Sequence, residues 1–191
     1  MIQNASQANR IVVKVGTSTL AHKTGLMNIQ RMEKLVKVLA DLKNSGREII
    51  LVSSGAIGIG VGKMGLPQKP VETPAKQACA AIGQCELMYC YDKYFSEYNH
   101  SVAQVLLTRD ILDSPERKQN VVNTFQNLLH YGAIPVVNEN DTVAVEEIVF
   151  GDNDTLSAIV GSLVETDLLV ILSDIDGVFE QNPRENPDAK L

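Results

Sequence analysis

Histidine and cysteine are scarce in this sequence, three of each, and neither is arranged for chemistry. His22, His100 and His130 are scattered, and no HExxH pair exists to hold zinc. Cys79, Cys85 and Cys90 fall on one helix-like stretch without CxxC spacing, and their odd number fits reduced thiols better than a disulfide framework. They read as small buried hydrophobes. No GxxxxGK[ST] loop occurs, because Lys63 is followed by Met64. Gly60, Gly62 and Gly65 match GxGxxG in form but start well beyond the end of the preceding strand, which argues against a Rossmann site. A basic excess is also missing: the net charge is −6, which argues against a nucleic-acid partner. No apolar run is long enough for a membrane span. Residues 1 to 10 are polar, with Arg10 and no signal-peptide core, so the expected setting is the cytoplasm. The absence of tryptophan bears on no function.

What is present is a sizeable apolar fraction, 45% of 191 residues, enough for one core and hence for one domain or most of one. Short β-rich runs recur at 11–15 (IVVKV), 48–52 (EIILV), 102–107 (VAQVLL), 134–137 (IPVV) and 168–172 (LLVIL). Between them lie helical patterns. Ile29, Met32, Leu35, Val36, Leu39 and Leu42 share one face and end at Ser45-Gly46. Others follow Pro74 to about Tyr94, pass through Val121 to Leu129, and span 155–164. A short β segment is expected at EIVF, just before FGDNDT. Almost wholly apolar strands alternating with helices predict a three-layer α-β-α sandwich with a mostly parallel central sheet.

Ligands in such sheets bind beyond the carboxyl ends of the strands. Here those ends are polar. Strand 11–15 carries Lys14 and runs into Gly16-Thr17-Ser18. Strand 48–52 runs into Ser53-Ser54-Gly55, strand 134–137 into Asn138, Asn140 and Asp141, and strand 168–172 into Ser173-Asp174. A lysine in a buried strand must snorkel to a surface or meet an anion, and the anion fits the end of such a strand better. The glycines at 55, 58, 60, 62 and 65 either form turns or expose N–H groups to an anion. Asp152, Asn153 and Asp154 stand together where one helix cap would suffice. Carboxylates, amides, N–H groups and a lysine together suit a zwitterionic ligand or phosphoryl transfer.

In its long motifs, VVKVGTSTL, ILVSSGAIGIGVGKMGL, KQACAAIGQ, AQVLLTRDIL, IPVVNENDTVAVEEIVFGDNDTLSAIVG, LLVILSDIDGVF and NPRENPDAKL, the chain resembles the amino-acid kinase family over essentially its whole length. VSSGA combined with NENDTV and FGDNDTLSA points to the branch that phosphorylates the side-chain carboxylate of L-glutamate, with ATP and Mg²⁺, at the start of proline biosynthesis. By that resemblance Lys14 binds the transferring phosphate and Asp154 orients it. Ser54, Asp141 and Asn153 bind glutamate, with Gly55, Asn138 and Asp152 nearby. Gly16, Ser173 and Asp174 meet the nucleotide, although relatives often carry threonine where Ser173 stands. No residue is assigned to a metal.

The resemblance also implies proline as a feedback inhibitor and a homo-oligomer. Relatives continue past NPDAKL with further strands, most of the nucleotide pocket, a second catalytic lysine and often a PUA domain. The expectation is therefore that residues 1 to 191 form the glutamate-binding N-terminal portion of the kinase domain, with the fold incomplete at its C-terminus. Two other readings stay open at this point: a different amino-acid kinase, and a module that binds glutamate or proline without turnover.

Overall fold

A computed structural model describes residues 5–22, 24–144, 153–173, 177, 180, 181, 186 and 190. The apolar run RIVVKV forms β1 (Arg10–Val15), and the small polar GTST segment closes into a one-turn helix, α1 (Thr17–Leu20). Helix α2 (Ile29–Asn44) starts where the Asn28 side chain accepts from the Arg31 backbone N–H, satisfying an otherwise orphan donor. It ends at Ser45-Gly46. Next come β2 (Glu48–Ser53), α3 (Ala56–Lys63), α4 (Thr73–Ser96) and β3 (Val102–Leu107). Helix α5 (Pro115–His130) has proline in its first turn and Ser114 capping the Arg117 N–H. Strand β4 (Ile134–Glu139), α6 (Asn153–Leu163) and β5 (Leu168–Leu172) follow. The segment EIVF lies outside the described residues.

The five strands pair in the order β3-β4-β2-β1-β5, every pair parallel. Parallel neighbours cannot be joined by a hairpin, so each connection crosses over through helix. Because successive strand side chains point to opposite faces, the core divides in two. Ile11, Val13, Val15, Ile49, Leu51, Ile134 and Val136 face α2 and α4, where Met32, Val36, Leu87, Tyr91 and Phe95 meet them. Val12, Ile50, Val52, Val105 and Val137 face α5 and α6 and pack on Phe125, Leu129, Leu156 and Val160. On the α2 side, an apolar groove lined by Leu35, Leu39, Leu42, Leu168, Val170 and Leu172 runs along the β5 edge.

The glycine-rich stretch after β2 departs from the turns or N–H loop read from the sequence: Ala56–Lys63 is helical. Glycine within a helix costs about 1 kcal/mol relative to alanine. Here the loss is offset by a backbone-to-backbone approach. A Cβ on Gly60 would lie 1.9 Å from the Cys79 carbonyl oxygen, and one on Gly83 would lie 1.7 Å from that of Ala56. Helices α3 and α4 therefore touch backbone to backbone, with a glycine on one side of each approach. Cys79 lies in this contact and is buried, Cys90 is half-buried, and Cys85 faces solvent, against the reading of all three as buried.

The expected consequence is that Gly83→Ala forces α3 and α4 apart. Overpacking typically costs about 1–3 kcal/mol, and a clash with backbone stands at the upper end. Urea denaturation should show a lowered midpoint, whereas an unchanged midpoint would contradict the close approach.

Candidate functional site

Strand alternation decides which layer each polar residue reaches. Lys14 points to the same face as Val12, toward α6, and its Nζ lies 2.6 Å from Asp154 Oδ1 in the first turn of that helix. The lysine side chain is 12% exposed and the aspartate side chain 43%, so the ammonium is withdrawn from solvent while its partner sits nearer the surface. The anion that the buried strand lysine requires is thus supplied by the chain itself. The contact is an ion pair: Asp154 Oδ1 is buried and has no hydrogen-bond partner among the described residues. Gly16 adjoins the pair: a Cβ built on it would sit 3.6 Å from Lys14 Nζ.

At the end of β2 the same alternation separates two serines. Ser53 is fully buried on the α4 side, where its hydroxyl lies 2.8 Å from that of Tyr91. Burial pushes the Tyr91 hydroxyl well above its ordinary pKa, with the Ser53 hydrogen bond pulling the other way, so it remains a neutral strut. The Ser54 backbone N–H donates to the Val15 carbonyl at 3.0 Å, locking the ends of β1 and β2 together. Gly55 then adopts φ +110 to start α3, a conformation that a side chain would strain. Thr17, Ser54, Gly55, Ala56, Ile57 and Gly58 form one wall of a cleft of about 610 Å³.

The opposite wall comes from β4 and the turn after it. Asn138 points toward α4 and is 3% exposed. Its Nδ2 donates to Gln84 Oε1 at 2.9 Å, and its Oδ1 accepts from Asn153 Nδ2 at 2.8 Å and from the Glu139 N–H at 2.9 Å. Asp141 sits in that turn, which is held by the Asn140 N–H on the Leu107 carbonyl (2.8 Å) and by Gln77 Nε2 on the Ala144 carbonyl (3.2 Å). Lys69, from the α3–α4 connection, completes the cleft. Desolvation raises the Asp141 pKa, and the Lys69 charge opposes that rise.

The structure therefore brings Ser54, Gly55, Asn138, Asp141 and Asn153 to one cleft, with Lys14, Gly16 and Asp154 paired at the ends of β1 and α6. Ser173 comes directly after β5, whose Leu172 pairs with Val15, so it lies next in line with Gly16 across the sheet; it is not among the cleft residues. Asp152 and Asp174 lie outside the described residues.

Three contributors escaped the sequence reading. Lys69 stands in an aperiodic loop that gives no signal. Gln84 falls on the buried α4 stripe of Ala80, Leu87 and Tyr91, and a polar residue on an apolar stripe was the available clue. Tyr91 belongs to that stripe and reads only as core. A cleft offering a carboxylate, amides, a hydroxyl and a nearby restrained ammonium can hold a small ligand bearing both charges and present an anion to Lys14.

The model of the amino acid kinase family matches residues 9–191. The chain is 57% identical to a glutamate 5-kinase of Clostridium perfringens over 188 residues, covering 96% of this chain and 70% of that protein. A glutamate 5-kinase of Listeria innocua is 54% identical, with 100% and 71% covered. One of Caldanaerobacter subterraneus is 59% identical, with 95% of this chain but 49% of the relative covered. Among solved structures, T. acidophilum isopentenyl phosphate kinase superposes with a TM-score of 0.63 at 19% identity, covering 95% and 77%. UMP kinase from Ureaplasma parvum gives 0.64 at 14% identity, covering 97% and 75%. Both support the three-layer fold.

One outcome follows from the Asp141 environment. A carboxyl with a raised folded pKa binds its proton more tightly folded than unfolded, so its contribution to stability falls as pH rises from the ordinary carboxylate range through the folded pKa. Asp141→Asn cannot ionise. It should raise the Tm at pH 7, with the gain shrinking as pH falls toward 4. Thermal scans at both pH values test this, and a lower Tm at pH 7 would show that the ionised carboxylate is structural.

Proposed function

Since the chain belongs to the amino acid kinase family, we propose that it phosphorylates the side-chain carboxylate of L-glutamate with ATP, giving L-glutamyl 5-phosphate for proline biosynthesis. The observation that carries this is the 54–59% identity to glutamate 5-kinases over nearly the whole chain. The cleft chemistry agrees. A glutamate side chain has a reference pKa near 4.3, so at neutral pH it is already a nucleophile. No general base is required, which accords with a cleft that gathers charge and amides and has no histidine in its lining.

The difficulty in such a reaction is electrostatic, because an anion must approach the γ-phosphate of another anion. Lys14 is assigned to the transferring phosphoryl group. Asp154, at 2.6 Å, holds its ammonium in place by charge, so that little reorganisation is needed as charge develops. Asp141 and Asn153 are assigned to the α-ammonium of glutamate, and Ser54 with the Gly55 backbone to its carboxylate, in the cleft they jointly line. Gly16, beside Lys14, lets a phosphate come close to backbone, and Ser173 with Asp174 is assigned to the nucleotide.

Mg²⁺ bound with ATP supplies charge neutralisation across the phosphates. Among the described residues no three carboxylate, imidazole or thiol groups gather into a metal-holding set. They do not form a cage for the ion. Proline is itself a zwitterion, which supports its assignment as a feedback ligand. The apolar groove along β5 supports self-association, and none of the described helices is long and apolar enough to cross a membrane. A cytoplasmic setting accords with a biosynthetic role.

Two variants separate the roles, measured in the protein as its gene encodes it. Lys14→Met should lower kcat by more than 100-fold, about 3–4 kcal/mol in the barrier, with the KM for glutamate little changed. A loss below tenfold would refute the assignment. Asp141→Asn removes a charge-assisted contact worth about 1.5–3 kcal/mol and should raise the glutamate KM roughly 10- to 100-fold while the ATP KM stays put. Equal rises in both constants would place Asp141 elsewhere in the reaction.

A further inference from the structure

Gln84 belongs to α4, touches none of the cleft surface, and is 7% exposed. Its Nε2 has no hydrogen-bond partner among the described residues. A buried amide left half-satisfied is costly, and methionine or leucine would fill the same volume without that loss. Its other half is fully engaged: Oε1 accepts from Asn138 Nδ2 at 2.9 Å.

The orientation of Asn138 is not free. The Glu139 backbone N–H can only donate, so the Asn138 atom 2.9 Å from it must be the carbonyl Oδ1. Asn138 Nδ2 is then the atom facing Gln84, and it needs an acceptor there. With Oδ1 fixed, the Asn153 atom 2.8 Å away must be a donor, its Nδ2. What Asn153 retains is Oδ1, which can only accept. Three amides on three elements, α4, β4 and α6, are thus ordered in one sense, and the order ends on a residue lining the cleft. Reversing any member sets two donors or two acceptors against each other.

We infer that Gln84 is a positioning residue for substrate recognition: through Asn138 it holds the Asn153 amide with its acceptor oxygen available to the ammonium group of an amino-acid substrate. The inference rests on the glutamate reading above for the identity of that ammonium. The ordering of the amides does not depend on it. Removing the acceptor at position 84 frees Asn138 Nδ2, lets the Asn138 amide rock, and blurs the edge that Asn153 offers. The affected quantity is discrimination in favour of a ligand that carries an α-ammonium.

The test compares Gln84→Met, which fills the space without an acceptor, with Gln84→Glu, which keeps one. In ligand-free protein, ¹⁵N spectra should show the side-chain NH₂ signals of both Asn138 and Asn153 moved in Gln84→Met and restored in Gln84→Glu. In kinetics, Gln84→Met should raise the KM for glutamate about tenfold, leave the KM for ATP within twofold, and reduce the preference for glutamate over glutarate, which lacks the amino group, by a similar factor. Gln84→Glu should stay within threefold of the wild type in all three.

Unmoved Asn153 signals in a folded Gln84→Met protein would overturn the relay whatever the substrate. Moved signals with an unaltered glutamate-to-glutarate ratio would overturn its role in recognition. A wild-type protein whose amides are coupled as described but which does not phosphorylate glutamate would refute the function proposed above and uphold the relay.

Discussion

Consecutive side chains in a parallel sheet covered on both faces cannot share a layer, and the working parts of this molecule depend on that constraint. Lys14 is bracketed by Val13 and Val15, which belong to the α2–α4 core, so it must enter the other layer, where α6 begins. Ser53 and Asn138 obey the same rule in the opposite sense and meet Tyr91 and Gln84 on α4. One helix layer therefore restrains the cation, and the other orients the hydroxyl and amide end of the cleft. The sheet register sets these depths: Val15 stands beside both Ser53 and Leu172, which aligns the ends of three strands.

The second determinant is the contact between α3 and α4. With no Cβ at Gly60 and Gly83, the two backbones come together, and the same α4 that supplies Gln84 and Tyr91 is clamped against the helix that opens at Gly55. Helix propensity alone argues against α3, whose sequence AIGIGVGK carries three glycines. Tertiary packing reverses that preference, because Gly60 lets α4 approach, while Gly58 and Gly62 make room for Thr17 and for the Gly25 backbone.

This explains what was legible in the sequence and what was not. Strand runs such as IVVKV and LLVIL announce themselves because both faces are buried. Strand β4 continues two residues beyond its apolar run because Asn138 and Glu139 still pair with Leu106 and Leu107, a ladder that hydropathy does not report. Helix α5 starts at Pro115, ahead of its apolar stripe, because its first turns are solvent-facing and only Ser114 and Pro115 mark them. Lys14, Ser54, Asn138, Asp141, Asn153 and Asp154 could be picked out as polar residues at strand and helix ends. Lys69 could not, since a cleft residue donated by an aperiodic loop depends on how two helices lie. Gln84 was legible only as an anomaly in an apolar stripe, and its partner Asn138 is brought to it by the sheet.

The pairing of Lys14 with Asp154 has a consequence for how the molecule is made. Strand β1 emerges early during synthesis, yet it lies inside the sheet, and its last neighbour, β5, comes only after α6. Domains fold as units, while the chain is synthesised at about 5–20 residues per second. Until α6 has been translated, Lys14 has β2 beside it and no carboxylate to meet its charge. The nascent chain thus carries a half-open edge and an uncompensated cation together, and one late event, the docking of α6 followed by β5, resolves both. The pairing of β5 with β1 and the neutralisation of the strand lysine are therefore coupled in time, because both wait on α6.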